Sequence, residues 1–279
     1  MTTQADKYTR FRALHHAGTA FVLPNPWDAG SARLLASMGF QALATTSAGY
    51  AFSVGKRDSF AGLDRDEVLE NASAIVNACD LPVSADLEDG FGATPESCAT
   101  TVRAACAIGL VGGSIEDATG NPDDPIFDLA AATDRVAAAA DAVRDLPFLL
   151  TARAENFLWN RPDLSDTIAR LQAFSAAGAD VLYAPGLPDL DAIRTVCHAV
   201  DKPVNVVMGL SGKTYSVAEL SAAGVARVSV GGSFARAAYG ALRRAAHEVL
   251  DDGTFTYAAD AIPDAELSRL MSQGKRAER

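Results

Sequence analysis

Short apolar runs alternate with longer runs rich in alanine and leucine along most of this chain. The first short run, 21–26, gives way to DAGSARLLASMG, where Asp28 can cap a helix and Gly39 can end it. A second run, ALATTS at 42–47, leads into a loop reaching Asp58 and then a helical pattern over 64–77. The third run, 82–88, precedes a helix over 95–108, and GGSIED at 112–117 is the fourth. After a loop rich in Asp, Pro and Gly, the alanine-dense segment 129–143 predicts a helix, and PFLLTARAE at 147–155 predicts a fifth strand. The alternation then continues as helix 163–177, strand 180–186, helix 188–199, strand 203–209, helix 216–222, strand 226–232 and a long helix over 233–250.

Strands that are apolar almost throughout, each followed by a helix, indicate a parallel sheet covered by helices. Eight such units predict a closed (β/α)8 TIM barrel. The rival is an open doubly wound sheet, which normally carries a glycine-rich dinucleotide fingerprint after an early strand; none is present. A length of 279 residues with 49% hydrophobic content accommodates either one barrel or two ordinary domains, and the repeats favour one. The expected organisation is a barrel domain over 1–250 and a C-terminal tail over 251–279, with Ile262-Pro263 starting a further short helix ahead of a basic end.

In such barrels chemistry sits at the C-terminal ends of the strands. The stretch SADLEDGFG, 84–92, is the most telling of these ends. Strand alternation puts Ser84, Asp86 and Glu88 on one face, so two carboxylates share it, and Gly90 and Gly92 let the chain turn away. The other ends offer Asn25 and Trp27, then Thr45, Thr46 and Ser47, Glu116 and Asp117, Arg153 and Glu155, Tyr183, Asn205, and Gly231 with Gly232. Taken singly, any of these acidic loops reads equally well as a helix cap. Together they bury many ionisable groups, for which a cation and an anionic ligand are the economical completion. Asp86, Glu88 and Glu116 form an oxygen-only donor set suited to Mg²⁺ or Mn²⁺ rather than zinc. Arg153 has the planar fork that clamps a substrate carboxylate, unless an internal pair with Glu155 or Glu116 consumes it. Asp58, on the loop after the second strand, belongs either to the surroundings of that ion or to the 64–77 helix as a cap, or pairs with Arg57.

A net charge of −11 with no Lys/Arg-rich block argues against a nucleic-acid surface. No run approaches the ~18 apolar residues of a membrane span, and the N-terminal segment lacks a signal-peptide core. The expectation is a soluble, cytoplasmic protein. Cys79, Cys98, Cys106 and Cys197 show no metal-type spacing and read as reduced, buried thiols. His15, His16, His198 and His247 all fall away from strand ends, which disfavours a histidine base, a His-ligated metal and a Ser-His triad. No lysine lies on a strand, which disfavours a Schiff base. Lys213 in GLSGKTYS either reaches a ligand or is a solvated loop residue. The GGS at 231–233 either cradles a phosphate with backbone N–H groups or admits close packing.

The segments NPWDAGSARLLASMGFQALATTSAG, GKRDS, SADLEDGFG, SIED and TARAENF, in that order and spacing, resemble successive motifs of the isocitrate lyase/phosphoenolpyruvate mutase superfamily across residues 10–245. The resemblance implies an (α/β)8 barrel, often with the eighth helix exchanged between subunits of a homodimer or homotetramer. It also implies Mg²⁺-dependent making or breaking of C–C or C–P bonds beside a 2-oxo acid or enolate. By motif position it implies metal-site roles for Asp86 and Glu116, with Glu88 as a substitute ligand, and a role for Asp58 through metal-bound water. Thr46 and Ser47 fall beside the substrate carboxylate, and Arg153 is the substrate-binding arginine. Two features depart from the pattern. The segment after Glu116 reads DATGNPDDPIFD, with none of the Cys, Lys and His of the KKCGH-type lyase loop and only Asn121 of the Lys and Asn that mutases place there. Ser84 also stands where an acid is usual. The expected function is a Mg²⁺- or Mn²⁺-dependent lyase or decarboxylase acting on a small 2-oxo or 2-hydroxy (di)carboxylate through an enolate. Asp58 and Arg153 are the expected catalytic residues, and Thr46, Ser47, Arg153 and Asn205 the substrate contacts. The alternatives are phosphoenolpyruvate/phosphonopyruvate mutase or hydrolase chemistry, and an inactive barrel that binds a 2-oxo acid.

Overall fold

The apolar runs form eight short strands: β1 (Phe21–Leu23), β2 (Leu43–Ala44), β3 (Val83–Asp86), β4 (Gly112–Glu116), β5 (Leu149–Arg153), β6 (Val181–Tyr183), β7 (Val204–Val207) and β8 (Arg227–Ser229). The structure, a computed structural model, describes residues 2–58, 62–210 and 212–272. Every ladder is parallel, and the strands follow one another around a single sheet from β2 through β8 to β1. Ala44 N donates to Pro24 O (3.0 Å) and Asn25 Nδ2 to Thr45 O (2.8 Å), so the β1–β2 seam is bridged. The result is the expected (β/α)8 barrel.

The helices are α1 (Gln4–Leu14), α2 (Ala29–Ser37), α3 (Ser47–Ser53), α4 (Arg65–Ala78), α5 (Pro95–Ala107), α6 (Leu129–Val143), α7 (Leu164–Ala176), α8 (Leu190–Ala199), α9 (Val217–Ala222), α10 (Ser233–His247) and α11 (Asp264–Ser272). Asp28, Asp64, Thr94, Asp128, Asp163, Asp189 and Ser216 each accept the N–H three residues on, capping α2 and α4 to α9. Each such cap contributes about 1 kcal/mol. The outward faces of the strands, with Ile115, Leu150, Leu182, Val206 and Val228, together with Leu87 just past β3, pack against Ile75, Val102, Val136, Phe174, Val196 and Leu220 of the helices. Burying side chains of this size stabilises by roughly 1.5–3 kcal/mol each.

Several elements differ from the sequence reading. Helix α1 was not expected, because QADKYTRFRAL is largely polar and only Lys7 and Phe11 are buried. It closes the N-terminal end of the barrel, where Phe11 packs with Leu23, Ala42, Val111 and Leu149. The second strand ends at Ala44 rather than at 47. Thr46 caps α3, a seven-residue helix where a loop was expected. Strand β3 ends at Asp86, and Glu88 takes φ +48°, outside any strand, so alternation does not govern where Glu88 points. The last barrel helix stops at His247 and continues as a π-helical turn over Glu248–Asp252. The expected short tail helix is α11, whose Leu270 is buried and whose Met271 lies beside Gly30 of α2. The basic end, 273–279, lies outside the described residues. Among the described residues no helix is long and apolar enough to cross a membrane.

Candidate active site

At the C-terminal ends of the strands opens a cavity of about 680 Å³. Six carboxylates line it, from Asp58, Asp86, Glu88, Asp89, Glu116 and Glu155, against two cations, Arg153 and Arg236. Arg153 ends β5 and stands among the acids. Its Nη1 lies 2.6 Å from Glu116 Oε1 and 3.2 Å from Asp86 Oδ1, and its Nε donates to Glu155 Oε1 at 2.8 Å. The guanidinium carbon sits 4.8 Å from the centre of the Tyr183 ring. Asp86 is held from the other side, where Ser47 Oγ donates to its Oδ2 (2.9 Å) and its own N–H donates to Thr45 Oγ1 (3.0 Å). The internal pairing of Arg153 anticipated as an alternative is thus present, and it involves three carboxylates at once.

Crowded like charges out of water must resist ionisation, and the site shows this. Burial, followed by Asp86, Asp89 and Asp58, pushes the Glu88 carboxyl up to about 8. Burial and Asp86 raise Asp58, against a lowering pull from Arg153. Burial raises Glu116 well above its ordinary range; Arg153 opposes this, while Glu155, Asp86 and Glu88 add to it. Burial disfavours the charge on Arg153, but Glu116, Glu155 and Asp86 outweigh it and hold the guanidinium firmly protonated. Acid therefore exceeds base in this cavity, and a divalent cation bound there would let the carboxylates ionise together. Among the described residues no three carboxylates converge closely enough to share one ion directly. Mg²⁺, which keeps several waters and takes one or two carboxylates, suits such a set better than an ion that needs a complete protein cage.

Two buried arginines on the surrounding helices fix the loops of the site. Arg135 of α6, 2% exposed, donates to Gly92 O (2.9 Å) and to Asp89 O, and stacks 4.4 Å from the Phe127 ring centre. It holds the turn after β3, where Gly90 (φ +86°) passes so close to Cys98 that a Cβ would lie 2.8 Å from its Sγ. Arg170 of α7 bonds Asp117 Oδ2 (2.9 Å), Phe127 O (2.7 Å) and Asp166 (2.7 Å), and Asp117 in turn accepts the Glu155 N–H. The segment 118–128 folds back on itself through an Ala118–Ile126 bridge and a Thr119 N to Pro125 O bond, leaving Asn121 exposed. The sequence reading missed both arginines, since an arginine on a helix normally faces water. The only signal was their place beside Val136 and Leu171 on the apolar faces.

Of the residues singled out from the sequence, Thr46, Ser47, Asp58, Asp86, Glu88, Glu116 and Arg153 all line this one cavity. Asp64, not Asp58, caps α4. Asn205 lies deeper, 1% exposed, with its amide spent on Ser229 Oγ (3.0 Å) and Arg227 Nε (2.8 Å). The backbone N–H groups of Val230 and Gly231 are taken by Asn25 Oδ1, and that of Ser233 by Val230 O, which leaves little of the supposed phosphate cradle free. Lys213 is exposed.

The sequence description of one protein family, Phosphoenolpyruvate phosphomutase, matches residues 11–250. The chain belongs to this family. A crystal structure from Burkholderia cenocepacia J2315, provisionally described as a lyase/mutase, shares 57% identity over 96% of each chain with a TM-score of 0.94. The 2-methylisocitrate lyase of Escherichia coli K12 is 30% identical over 257 residues, which is 85% of this chain and 84% of that enzyme. A 2,3-dimethylmalate lyase of the PEP mutase/isocitrate lyase superfamily shares 27% identity over 98% of this chain and 96% of its own, with a TM-score of 0.86. The phosphomutase-family chain described here is thus an enzyme of that superfamily, and its relatives include lyases of small carboxylic acids.

Proposed function

We propose that this enzyme is a divalent-metal-dependent lyase that breaks a C–C bond of a small 2-oxo or 2-hydroxy dicarboxylate, leaving an enolate. The observation that carries this reading is Arg153, a buried cation at a strand end surrounded by more carboxylates than it can neutralise. Asp86, Glu88 and Glu116 would hold Mg²⁺ or Mn²⁺, some of them through water. When bound, the ion supplies positive charge that offsets the developing enolate. The Nη2 of Arg153 is not used by the three acids, so the arginine can grip a substrate carboxylate while they fix its orientation. Thr46 and Ser47 border the same space, and Ser47 also restrains Asp86. Asp58, whose affinity for a proton is raised by burial and by Asp86, is the group that exchanges one with the reacting substrate: a 2-hydroxyl proton lost on cleavage, or a proton delivered to the enolate carbon. No cysteine lies in the 117–128 segment, so the acid that quenches the carbanion is a carboxyl rather than a thiol.

We further infer that α10 mediates homo-oligomer formation. Only Ala235 of that helix is buried, whereas Tyr239, Leu242 and, just beyond it, Leu250 are 40%, 64% and 81% exposed. The catalytic proposal is tested by incubating the enzyme with Mg²⁺ and a panel of oxaloacetate, 2-methylisocitrate, 2,3-dimethylmalate and phosphonopyruvate. Metal-dependent C–C cleavage of at least one carboxylate supports it. Turnover of phosphonopyruvate alone moves the chemistry to the C–P bond, and ligand binding without any turnover reduces the barrel to a sensor.

A further inference from the structure

Beneath the active-site cavity the barrel encloses a second, smaller one of about 60 Å³, with Asp86, Arg153 and Tyr183 as shared walls. Arg227 of β8, 4% exposed, lines it. Its Nε donates to Asn205 Oδ1 (2.8 Å) and its Nη2 to Thr151 Oγ1 (3.1 Å), and its Nη1 lies 3.3 Å from His15 Nε2. The Phe11 carbonyl, 2.8 Å from His15 Nδ1, can only accept, so Nδ1 carries the ring proton and Nε2 offers its lone pair to Arg227. His15 is therefore neutral. Its pKa, pushed down to about 3 by burial and by Arg227, agrees.

All three partners of Arg227 are uncharged, and among the described residues it forms no ion pair. Asp86, the one acid on the cavity wall, is paired with Arg153. Arg227 thus has no carboxylate of its own, and its buried charge is met only by neutral acceptors, an arrangement that costs stability. The guanidinium has five N–H groups and uses three. Ser84 Oγ makes no hydrogen bond among the described residues, and Ser229 Oγ accepts from Asn205 without donating onward. The surplus around the cavity is thus of hydrogen-bond donors, which suits a spherical acceptor.

We propose that this cavity holds one small monovalent anion of halide size, bound by Arg227 and the neighbouring serine hydroxyls. It is a site distinct from the metal and substrate positions above it and independent of the reaction assigned to them. The ion balances the buried arginine and stabilises the barrel. The decisive experiment is diffraction at the bromine edge from crystals of the full chain grown in sodium bromide. A companion series of thermal unfolding in sodium chloride against sodium gluconate at equal ionic strength uses the wild type and Arg227→Met. The expected result is an anomalous peak beside Arg227 that persists when oxalate is added. Chloride should also raise the wild-type Tm by about 2–4 °C, and the rise should vanish in Arg227→Met. Water alone beside Arg227, or an equal chloride effect in the variant, overturns the proposal. Displacement of bromide by oxalate also overturns it, because the cavity would then belong to the substrate. If the variant does not fold, the wild-type bromide map decides alone.

Discussion

Arg153 shows how a single side chain can be both structural and chemical. Its Nη1 and Nε tie Asp86, Glu116 and Glu155 together, and in the proposed mechanism the remaining Nη2 is the group that grips the substrate carboxylate. Lysine cannot reproduce a planar fork serving three acids, so Arg153→Lys should lower kcat/KM by at least about 100-fold with a largely intact far-UV spectrum. Steady-state kinetics on the preferred substrate measures this, and near-wild-type kinetics in the variant would contradict it. Glu88 makes a different kind of prediction. Its carboxyl binds a proton more tightly in the folded protein, at about 8, than at its ordinary 4.5. The associated stabilisation is complete below the lower value and is lost as pH rises through the higher one. Metal-free enzyme should therefore lose stability between about pH 5 and about pH 8, and Glu88→Gln should flatten that slope in urea titrations. An unchanged slope would assign the effect elsewhere. At this scale the sequence was informative about residue identity and less so about geometry. Asp86, Glu116 and Arg153 follow from strand ends. Glu88 reaches the same cavity through a left-handed turn that alternation does not foresee. Asn205 is the second residue of β7 rather than its C-terminal end, and it spends its amide below the site.

At the scale of elements, the strand–helix alternation was legible because parallel strands are buried on both faces and the helices between them carry clear caps. Helix α3 was not, since seven residues that include a glycine have little intrinsic helicity. It exists because Thr46 caps it and because Gly49 lets it approach α10, where a Cβ would lie 3.2 Å from that of Ala235. The loops depend on groups from other elements. Replacing Arg135 by methionine removes the donors to Gly92 O and Asp89 O while keeping the side chain apolar against Phe127. The loss should cost about 2–4 kcal/mol in urea unfolding, because both carbonyls lose a charged donor and the buried Asp89 loses its ion pair with Arg135. The same variant should weaken metal affinity more than Arg103→Met on the exposed face of α5, a difference that isothermal titration with Mn²⁺ can measure. Equal affinities would show that the turn after β3 holds itself.

For the whole molecule, barrel closure makes these local arrangements one site, because eight strand ends are brought to one rim. Helix α1 was hidden in the sequence by its polar composition, yet it plugs the opposite end with Phe11 and holds His15 against Arg227. If the exposed apolar side chains of α10 form the proposed subunit contact, Leu242→Glu should convert a wild-type oligomer to monomer in sedimentation experiments. A wild type that sediments as a monomer would contradict that account. The central claim, a metal and Arg153 jointly holding an enolate-forming carboxylate, is tested most directly by titrating metal-stripped enzyme with oxalate, a stable mimic of the pyruvate enolate, with and without Mg²⁺. The account predicts tight binding only with Mg²⁺, lost in Asp86→Ala and in Arg153→Ala. Binding that ignores Mg²⁺, or no binding under either condition, would contradict it.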